Sequence, residues 1–148
     1  MLLREMQAML AGLYDAPAEH DVHDYLITDA AHAAALQGAI GRPETDEQLL
    51  VAEDEEGLEL SLYLDRAVLE RLFARCPLRE LSEDNLADYC TALEGVSHFH
   101  YVVWNAAHAR SVSLLELELQ AEVDKYASAL RLLLAQRGGR FPGEIGRA

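Results

Sequence analysis

The most regular hydrophobic pattern of the chain lies just before its middle. An apolar run that begins at Leu49 is followed by an acidic turn with one glycine, and leucine then alternates with polar residues from Leu58 to Leu64. Alternation with period two places the leucines on one face of a strand and Glu59 and Tyr63 on the other. The pattern therefore predicts a β-hairpin with strands Leu49–Glu53 and Leu58–Leu64 and with one solvated face.

A second run, Val96–Trp104, consists largely of aromatic and β-branched residues, which are enriched in strands. We predict that this run forms the third strand of the sheet. A helix that continues to Ala107 is the alternative. As a strand, the run places Phe99 in the core and turns His98 and His100 to the opposite face.

The remaining apolar positions recur every three or four residues, which predicts helices on both sides of the hairpin. The longest helix begins at a capping box formed by Ser113 and Glu116 and continues to about Gln136, where two glycines end it. Residues 138–148 are predicted to form a flexible tail. The shorter helices cover residues 2–13, residues 30–39 with Thr28 or Asp29 as cap, residues 66–75 after an Asp65 cap, and residues 82–95, which start at Ser82 and end at Gly95.

These elements predict a single α+β domain over residues 1–137. Several helices, among them the long C-terminal one, cover a small antiparallel sheet made of the hairpin and the third strand. The chain has no apolar run of the ~18 residues that span a membrane, and its amphipathic N-terminus does not resemble a signal peptide. We therefore expect no membrane association and a cytoplasmic location, in which Cys76 and Cys90 stay reduced.

Negative charge is concentrated in the first part of the chain. Residues 1–65 carry fifteen Asp or Glu and two Arg, a net charge of −13, whereas residues 66–148 carry eleven acids and ten bases, a net charge of −1. Such a field repels phosphate backbones, so we expect no nucleic-acid partner, and it attracts basic proteins or divalent cations. Eleven Arg beside one Lys are typical of a GC-rich bacterial genome. The predicted acidic interaction surface at the hairpin tip consists of Glu53, Asp54, Glu55 and Glu56.

The strongest candidate for chemistry is the histidine pair on the predicted third strand. Two imidazoles at positions i and i+2 of a strand can share a metal ion, and a carboxylate can complete the ligand set. The same groups can perform acid–base chemistry near neutral pH. A solvated or helix-covered sheet face that tolerates histidine is the competing interpretation. The candidate ligand or metal residues on this face are His98, His100, Glu59, Tyr63 and Trp104.

A weaker candidate metal site consists of His20, His23 and Asp24. On an α-helix these residues lie at positions i, i+3 and i+4, within reach of one cation. A solvated polar linker is the alternative, because the segment lacks the glutamate of a zinc-protease motif. No phosphate-binding loop or nucleophile elbow occurs in the chain, so we assign neither a catalytic residue nor a cofactor.

The acidic first part and the lack of a catalytic motif favour a binding or adaptor protein that recognises a basic protein partner. We expect a homodimer in which the sheet or the long helix buries apolar surface against a second copy. In size, acidity and order of elements the chain resembles the small acidic chaperones of bacterial secretion systems, a resemblance of organisation that matches no residue motif. Two alternatives stay open: a metal-binding protein or enzyme that uses the histidine-bearing sheet face, and an acidic nucleic-acid mimic or immunity-type inhibitor.

Overall fold

The computed structural model describes residues 2–16, 20–38 and 43–138, and it confirms the predicted α+β class. The predicted tail beyond residue 138 lies outside the described residues. Within the described ranges, five α-helices and one 3₁₀-helix accompany a small three-stranded sheet. In chain order the elements are α1 (Leu2–Tyr14), the 3₁₀-helix (Val22–Tyr25), β1 (Leu26–Ile27), α2 (Ala30–Leu36), β2 (Glu47–Asp54), β3 (Gly57–Leu64), α3 (Arg66–Ala74), α4 (Leu86–Ala107) and α5 (Leu114–Gln136).

The predicted hairpin is confirmed as the antiparallel pair β2–β3, but its predicted solvated face is wrong, because Tyr63 on that face is buried. Asp54 closes its turn, because one carboxylate oxygen accepts hydrogen bonds from the backbone N–H groups of Glu56 and Gly57. Gly57 has a φ of +135°, a conformation that residues with a Cβ atom rarely adopt. Burial rises along β3 from this turn towards the core: Leu58 is exposed, whereas Leu62 is fully buried. The tip of the hairpin therefore projects from the core.

The third strand of the sheet is β1, which the sequence analysis did not predict. β1 pairs with β3 in parallel register, Leu26 with Leu62 and Ile27 with Tyr63. The strand order is β1-β3-β2, so the sheet is mixed rather than wholly antiparallel. A strand of two residues is too short to show a period of two, and periodicity therefore gives no signal for it.

Residues 96–104 lie inside α4, so the predicted third strand in this segment is wrong and the helical alternative is confirmed. Four of the buried side chains of α4 recur at helical spacing: Tyr89, Leu93, Val96 and Phe99. The strand preference of aromatic and β-branched residues reflects how they pack on a half-buried surface. Burial of a helical stripe overrides that preference here.

Gly95 lies in the middle of α4 rather than at its end, where the sequence analysis placed it. A Cβ atom at this position would lie 3.0 Å from Leu62 Cδ1 and 3.0 Å from Glu47 Cγ, which belong to the two hairpin strands. The close approach of helix and sheet therefore leaves little space for a Cβ atom at this position. The helix also begins at Leu86 rather than at the predicted Ser82.

α4 is the central element of the fold, since α1, α3, α5 and both hairpin strands pack against it. The predicted long helix is confirmed as α5, and its cap is the predicted box: the Ser113 hydroxyl accepts from the Glu116 backbone N–H at 3.2 Å. None of the described helices is both long and apolar enough to cross a membrane. Cys76 and Cys90 are free thiols.

Candidate functional site

The helical conformation of residues 96–104 separates His98 from His100. Successive residues of an α-helix are rotated by about 100°, so residues two apart point to nearly opposite sides. His98 points towards β2 and the start of α5, whereas His100 lies beside Tyr14 and Asp124. The two imidazoles therefore do not share the predicted sheet face.

Glu59 and Tyr63, the two hairpin residues predicted to share a face with the histidines, differ in burial. Glu59 is exposed near the tip of the hairpin. Tyr63 is buried, and its hydroxyl donates a hydrogen bond to Asp65 at 2.9 Å. Glu59 and Tyr63 therefore do not share a sheet face with His98 and His100, because the two histidines lie on the helix α4.

His100 and Trp104 are brought together, one helical turn apart, at a small pocket of about 200 Å³. Burial lowers the pKa of His100, and the charge of Asp124 opposes this effect only in part. The Nε2 atom of His100 has no hydrogen-bond partner among the described residues. Trp104 also stacks on the ring of His108, with the ring centroids 4.1 Å apart. The pocket is therefore a small cavity between the imidazole of His100 and the indole of Trp104.

His98 lies in a different environment, among carboxylates from three elements. Its Nδ1 atom is 3.5 Å from Glu47 Oε2 on β2, and its Nε2 atom is 3.7 Å from Glu118 Oε1 on α5. Glu94, one helical turn earlier on α4, offers a carboxylate oxygen to the same space: one ligand atom each from Glu94, His98 and Glu118 lies within 4.8 Å of the others. We call Glu47, Glu94, His98 and Glu118 the carboxylate–histidine cluster.

Burial and charge shift the pKa values in this cluster. Burial by itself lowers the pKa of His98, but the adjacent carboxylates of Glu47, Glu118 and Glu94 outweigh burial and raise it above its ordinary value. Burial raises the pKa of Glu94, an effect that Lys125 opposes and Glu47 reinforces. Lys125 compensates Glu94 only in part, because its ammonium is 3.9 Å from Glu94 and 2.6 Å from Glu122.

Glu47, Glu94 and Glu118 are not among the candidate ligands that the sequence predicts. One signal was present: Glu94 and His98 are four residues apart, which places them on the same face of a helix. The strand prediction concealed this spacing. Glu47 and Glu118 come from elements distant in the sequence, and only the packing of α4 against β2 and α5 brings them to His98.

The predicted cluster of His20, His23 and Asp24 does not form one face of an α-helix. The 3₁₀-helix begins at Val22, after His20, and Asp21 is its cap. His20 and Asp24 are exposed. In the part of the chain that the structure describes, no three ligand atoms from this segment converge as those of Glu94, His98 and Glu118 do.

The acidic tip of the hairpin is exposed from Glu53 to Gly57, as the charge pattern predicts. One of its carboxylates, Asp54, is engaged in closing the turn. The other three, Glu53, Glu55 and Glu56, are exposed and extend from the core with the hairpin.

A second surface feature lies on α5. Four of its large apolar side chains face away from the protein at intervals of three or four residues, and they define the α5 stripe: Leu115, Leu119, Val123 and Tyr126, exposed by 68, 59, 55 and 72 %.

The buried face of α5 lies opposite the α5 stripe and is small and polar. Its side chains are Ala121, Asp124 and Ser128. They pack against α4 through hydrogen bonds: the Ser97 hydroxyl donates to Asp124 at 2.6 Å, and the Tyr89 hydroxyl donates to Ser128 at 2.8 Å. The usual arrangement, in which a surface helix turns its apolar face to the core, is therefore inverted along the α5 stripe, whereas Ala129, Leu132 and Leu133 nearer the end of α5 pack against the core.

Comparisons with protein-family models, with curated protein sequences and with solved structures find no match to this chain.

Proposed function

We propose that the protein is a protein–protein interaction module that forms a homodimer through the α5 stripe and presents acidic groups to a basic partner. The observation that carries this proposal is the α5 stripe, a row of large apolar side chains turned to solvent along the longest described helix. Contiguous exposed apolar surface of this kind is typical of interaction sites.

The charges along α5 favour a second copy of the same helix as the occupant of the stripe. The first half of α5 carries Glu116 and Glu122, whereas its last turns carry Arg131 and are followed by Arg137. In an antiparallel pair related by a twofold axis, the acidic half of each helix faces the basic end of the other. The helix dipoles also oppose each other in this arrangement. The axis would pass near Tyr126, which lies close to the middle of α5.

The oligomeric state tests this part of the proposal. We expect sedimentation velocity to give twice the 16.4 kDa of one chain at micromolar concentration. A Leu119→Glu/Tyr126→Glu variant should be monomeric, because charges would be buried against apolar side chains. Phe73→Glu is the matched control, since Phe73 is also 65 % exposed but lies on α3. A monomeric wild type, or a dimer that survives in the stripe variant, would contradict the homodimer.

The proposed basic partner rests on the exposed carboxylates of the hairpin tip, which extend beyond the core and therefore remain accessible in a dimer formed through α5. Electrostatic attraction of this kind raises association rates and weakens as salt screens the charges. Arginine-rich and lysine-rich peptides are suitable probes, with binding followed by fluorescence anisotropy at increasing ionic strength. Duplex DNA is the negatively charged control probe. We expect it not to bind, because the negative charge of the protein repels its phosphates.

The role of the tip is tested by comparing two variants that have the same net charge. The triple change Glu53→Gln/Glu55→Gln/Glu56→Gln should weaken peptide binding while Asp54 keeps the turn closed. The control Glu70→Gln/Glu80→Gln/Glu83→Gln removes three exposed charges outside the hairpin, and should have a smaller effect. Equal losses in the two variants would show that only net charge matters and would reject the tip as the binding surface.

A further inference from the structure

We infer that the carboxylate–histidine cluster is a binding site for a divalent transition-metal ion, with Glu94, His98 and Glu118 as ligands and Glu47 beside them. This site is independent of the α5 stripe and of the hairpin tip. It is formed where α4, β2 and the first turns of α5 meet, and it opens into a groove of about 810 Å³ between β2 and α5.

The spacing of the donor atoms suits one small ion. Zinc binds imidazole nitrogen and carboxylate oxygen at about 2.0–2.2 Å, so two ligands of a tetrahedral site lie about 3.4 Å apart. The 3.7 Å from His98 Nε2 to Glu118 Oε1 is close to this value, and all three ligand atoms lie within 4.8 Å of one another. Glu94 and His98 are held in register by the α4 backbone, so only small side-chain adjustments are needed.

The histidine provides an independent sign that a ligand belongs here. His98 is 93 % buried, and its Nε2 atom faces the cluster without a hydrogen-bond partner among the described residues. The buried Glu47 Oε2 atom also lacks one. Its 3.5 Å separation from His98 Nδ1 exceeds the distance of a good hydrogen bond. Buried polar atoms without partners are costly, and coordination of Nε2 to a metal would remove that cost at His98.

Charge balance also favours a divalent cation. The cluster brings three carboxylates together, and the ammonium of Lys125 lies 3.9 Å from only one of them, Glu94. With a neutral imidazole the group carries an excess of about two negative charges. A divalent ion neutralises that excess. Three protein ligands and an open groove leave room for water as a further ligand.

The donor set favours a first-row transition metal over Ca²⁺ or Mg²⁺. Imidazole suits zinc, copper, iron and nickel, while Ca²⁺ and Mg²⁺ prefer oxygen ligands alone. Zn²⁺ is therefore the appropriate probe, with Mg²⁺ and Ca²⁺ as comparisons. The exposed acids of the chain bind divalent ions weakly and without selectivity, and this background must be separated from the site.

The test is isothermal titration of the chelator-treated protein with Zn²⁺ at neutral pH. We expect one equivalent to bind in the low micromolar range or tighter, with Mg²⁺ and Ca²⁺ unable to compete at tenfold excess. Zinc-edge X-ray absorption should show one nitrogen among otherwise oxygen ligands. His98→Gln and Glu94→Gln should each weaken this phase by at least about tenfold, whereas His32→Gln, which removes an exposed histidine, should leave it unchanged.

Replacement of buried His98 or half-buried Glu94 can affect folding, so a third variant keeps the test decisive. Glu118 is half exposed, and Glu118→Gln removes a ligand without opening the core. Its folded state is checked by circular dichroism and by a melting temperature in the absence of metal. If wild type and Glu118→Gln bind Zn²⁺ with equal affinity, or if wild type shows only weak binding at several equivalents, the inference is wrong.

Discussion

Arg71 on α3 binds Asp88 on α4 through both carboxylate oxygens. Its Nε atom donates to Oδ2 at 2.8 Å, and a terminal guanidinium nitrogen donates to Oδ1 at 2.9 Å. Two parallel charge-assisted hydrogen bonds are the strongest arrangement available to an Arg–carboxylate pair. They fix α3 against the first turn of α4, at an edge of the core where the Asp88 side chain is largely shielded from water.

This pair predicts a pH-dependent contribution to stability. The hydrogen bonds from Arg71 lower the pKa of Asp88 more than its partial burial raises it. A carboxyl group whose pKa is lower in the folded state stabilises the fold above its unfolded pKa of about 4 and loses this contribution as pH falls through its folded pKa. Asp88→Asn should therefore cost about 1 kcal/mol at pH 7 and much less at pH 2.5, as measured by urea denaturation.

A second Arg–Asp pair serves as the control for this prediction. Arg75 Nη1 lies 2.6 Å from Asp84 Oδ2, but both side chains are 66 % exposed. Exposed pairs contribute little, so Asp84→Asn should change stability by less than about 0.5 kcal/mol at either pH. If both Asn variants cost the same at pH 7, geometry and burial do not distinguish the two pairs.

The two helical glycines Gly12 and Gly95 should respond in opposite directions to alanine. A Cβ atom at Gly95 meets the hairpin side chains of Leu62 and Glu47 at 3.0 Å, so Gly95→Ala should reduce stability by at least about 1 kcal/mol despite its better helix propensity. A Cβ atom at Gly12 on α1 meets nothing within 4 Å. Gly12→Ala should therefore raise stability by about 0.5–1 kcal/mol. Thermal unfolding of the two variants measures both effects, and a stabilising Gly95→Ala would show that the sheet moves away readily.

The hydrogen bonds of Asp124 should couple α4 and α5 energetically. Its carboxylate accepts hydrogen bonds from Ser97 and from Tyr14. Asp124→Ala leaves the buried Ser97 hydroxyl without its acceptor, and we expect a loss of about 2–3 kcal/mol. A double-mutant cycle with Ser97→Ala should give a coupling energy of at least about 1 kcal/mol. Thr91→Ala is the control, because the Thr91 hydroxyl bonds to Ala87 within α4; additive losses for Asp124 and Ser97 would contradict the coupling.

Local signals predicted those parts of the fold that local interactions determine. The hairpin follows from alternating leucines, and Asp65 and Ser113 are caps in the structure as they are in the sequence analysis. The segment 96–104 was assigned wrongly, because its composition favours strand and its burial stripe becomes evident only with α5, α1 and the sheet around it. The sequence predicts a helix end at Gly95, because it does not distinguish a glycine that ends a helix from one that permits close packing.

The candidate sites also differ in how far they depend on residues that are close in the sequence. The acidic tip was predicted because charge and a turn are both local features. The carboxylate–histidine cluster was found only in part, since His98 was selected but its neighbours Glu47 and Glu118 come from other elements. The sequence predicts apolar surface on either the sheet or the long helix for a second copy, but it does not decide between them: a leucine stripe can also face the core, and only tertiary structure shows that the small polar face is the buried one along the α5 stripe.

The final prediction concerns the reactivity of Cys90. Burial raises the pKa of its thiol, and the charge of Lys125 offsets this effect only in part while Glu122 and Glu94 reinforce it. Only the thiolate reacts with alkylating reagents, so a raised pKa and restricted access both slow the reaction.

Cys76→Ser leaves Cys90 as the single thiol of the chain. Iodoacetamide at pH 8 should modify this variant several-fold more slowly in the folded state than in urea, as followed by mass spectrometry. A small free thiol such as N-acetylcysteine, alkylated with and without urea, checks that urea itself does not alter the reaction. Equal rates for Cys90 in the folded and unfolded chain would show that α4 does not protect it.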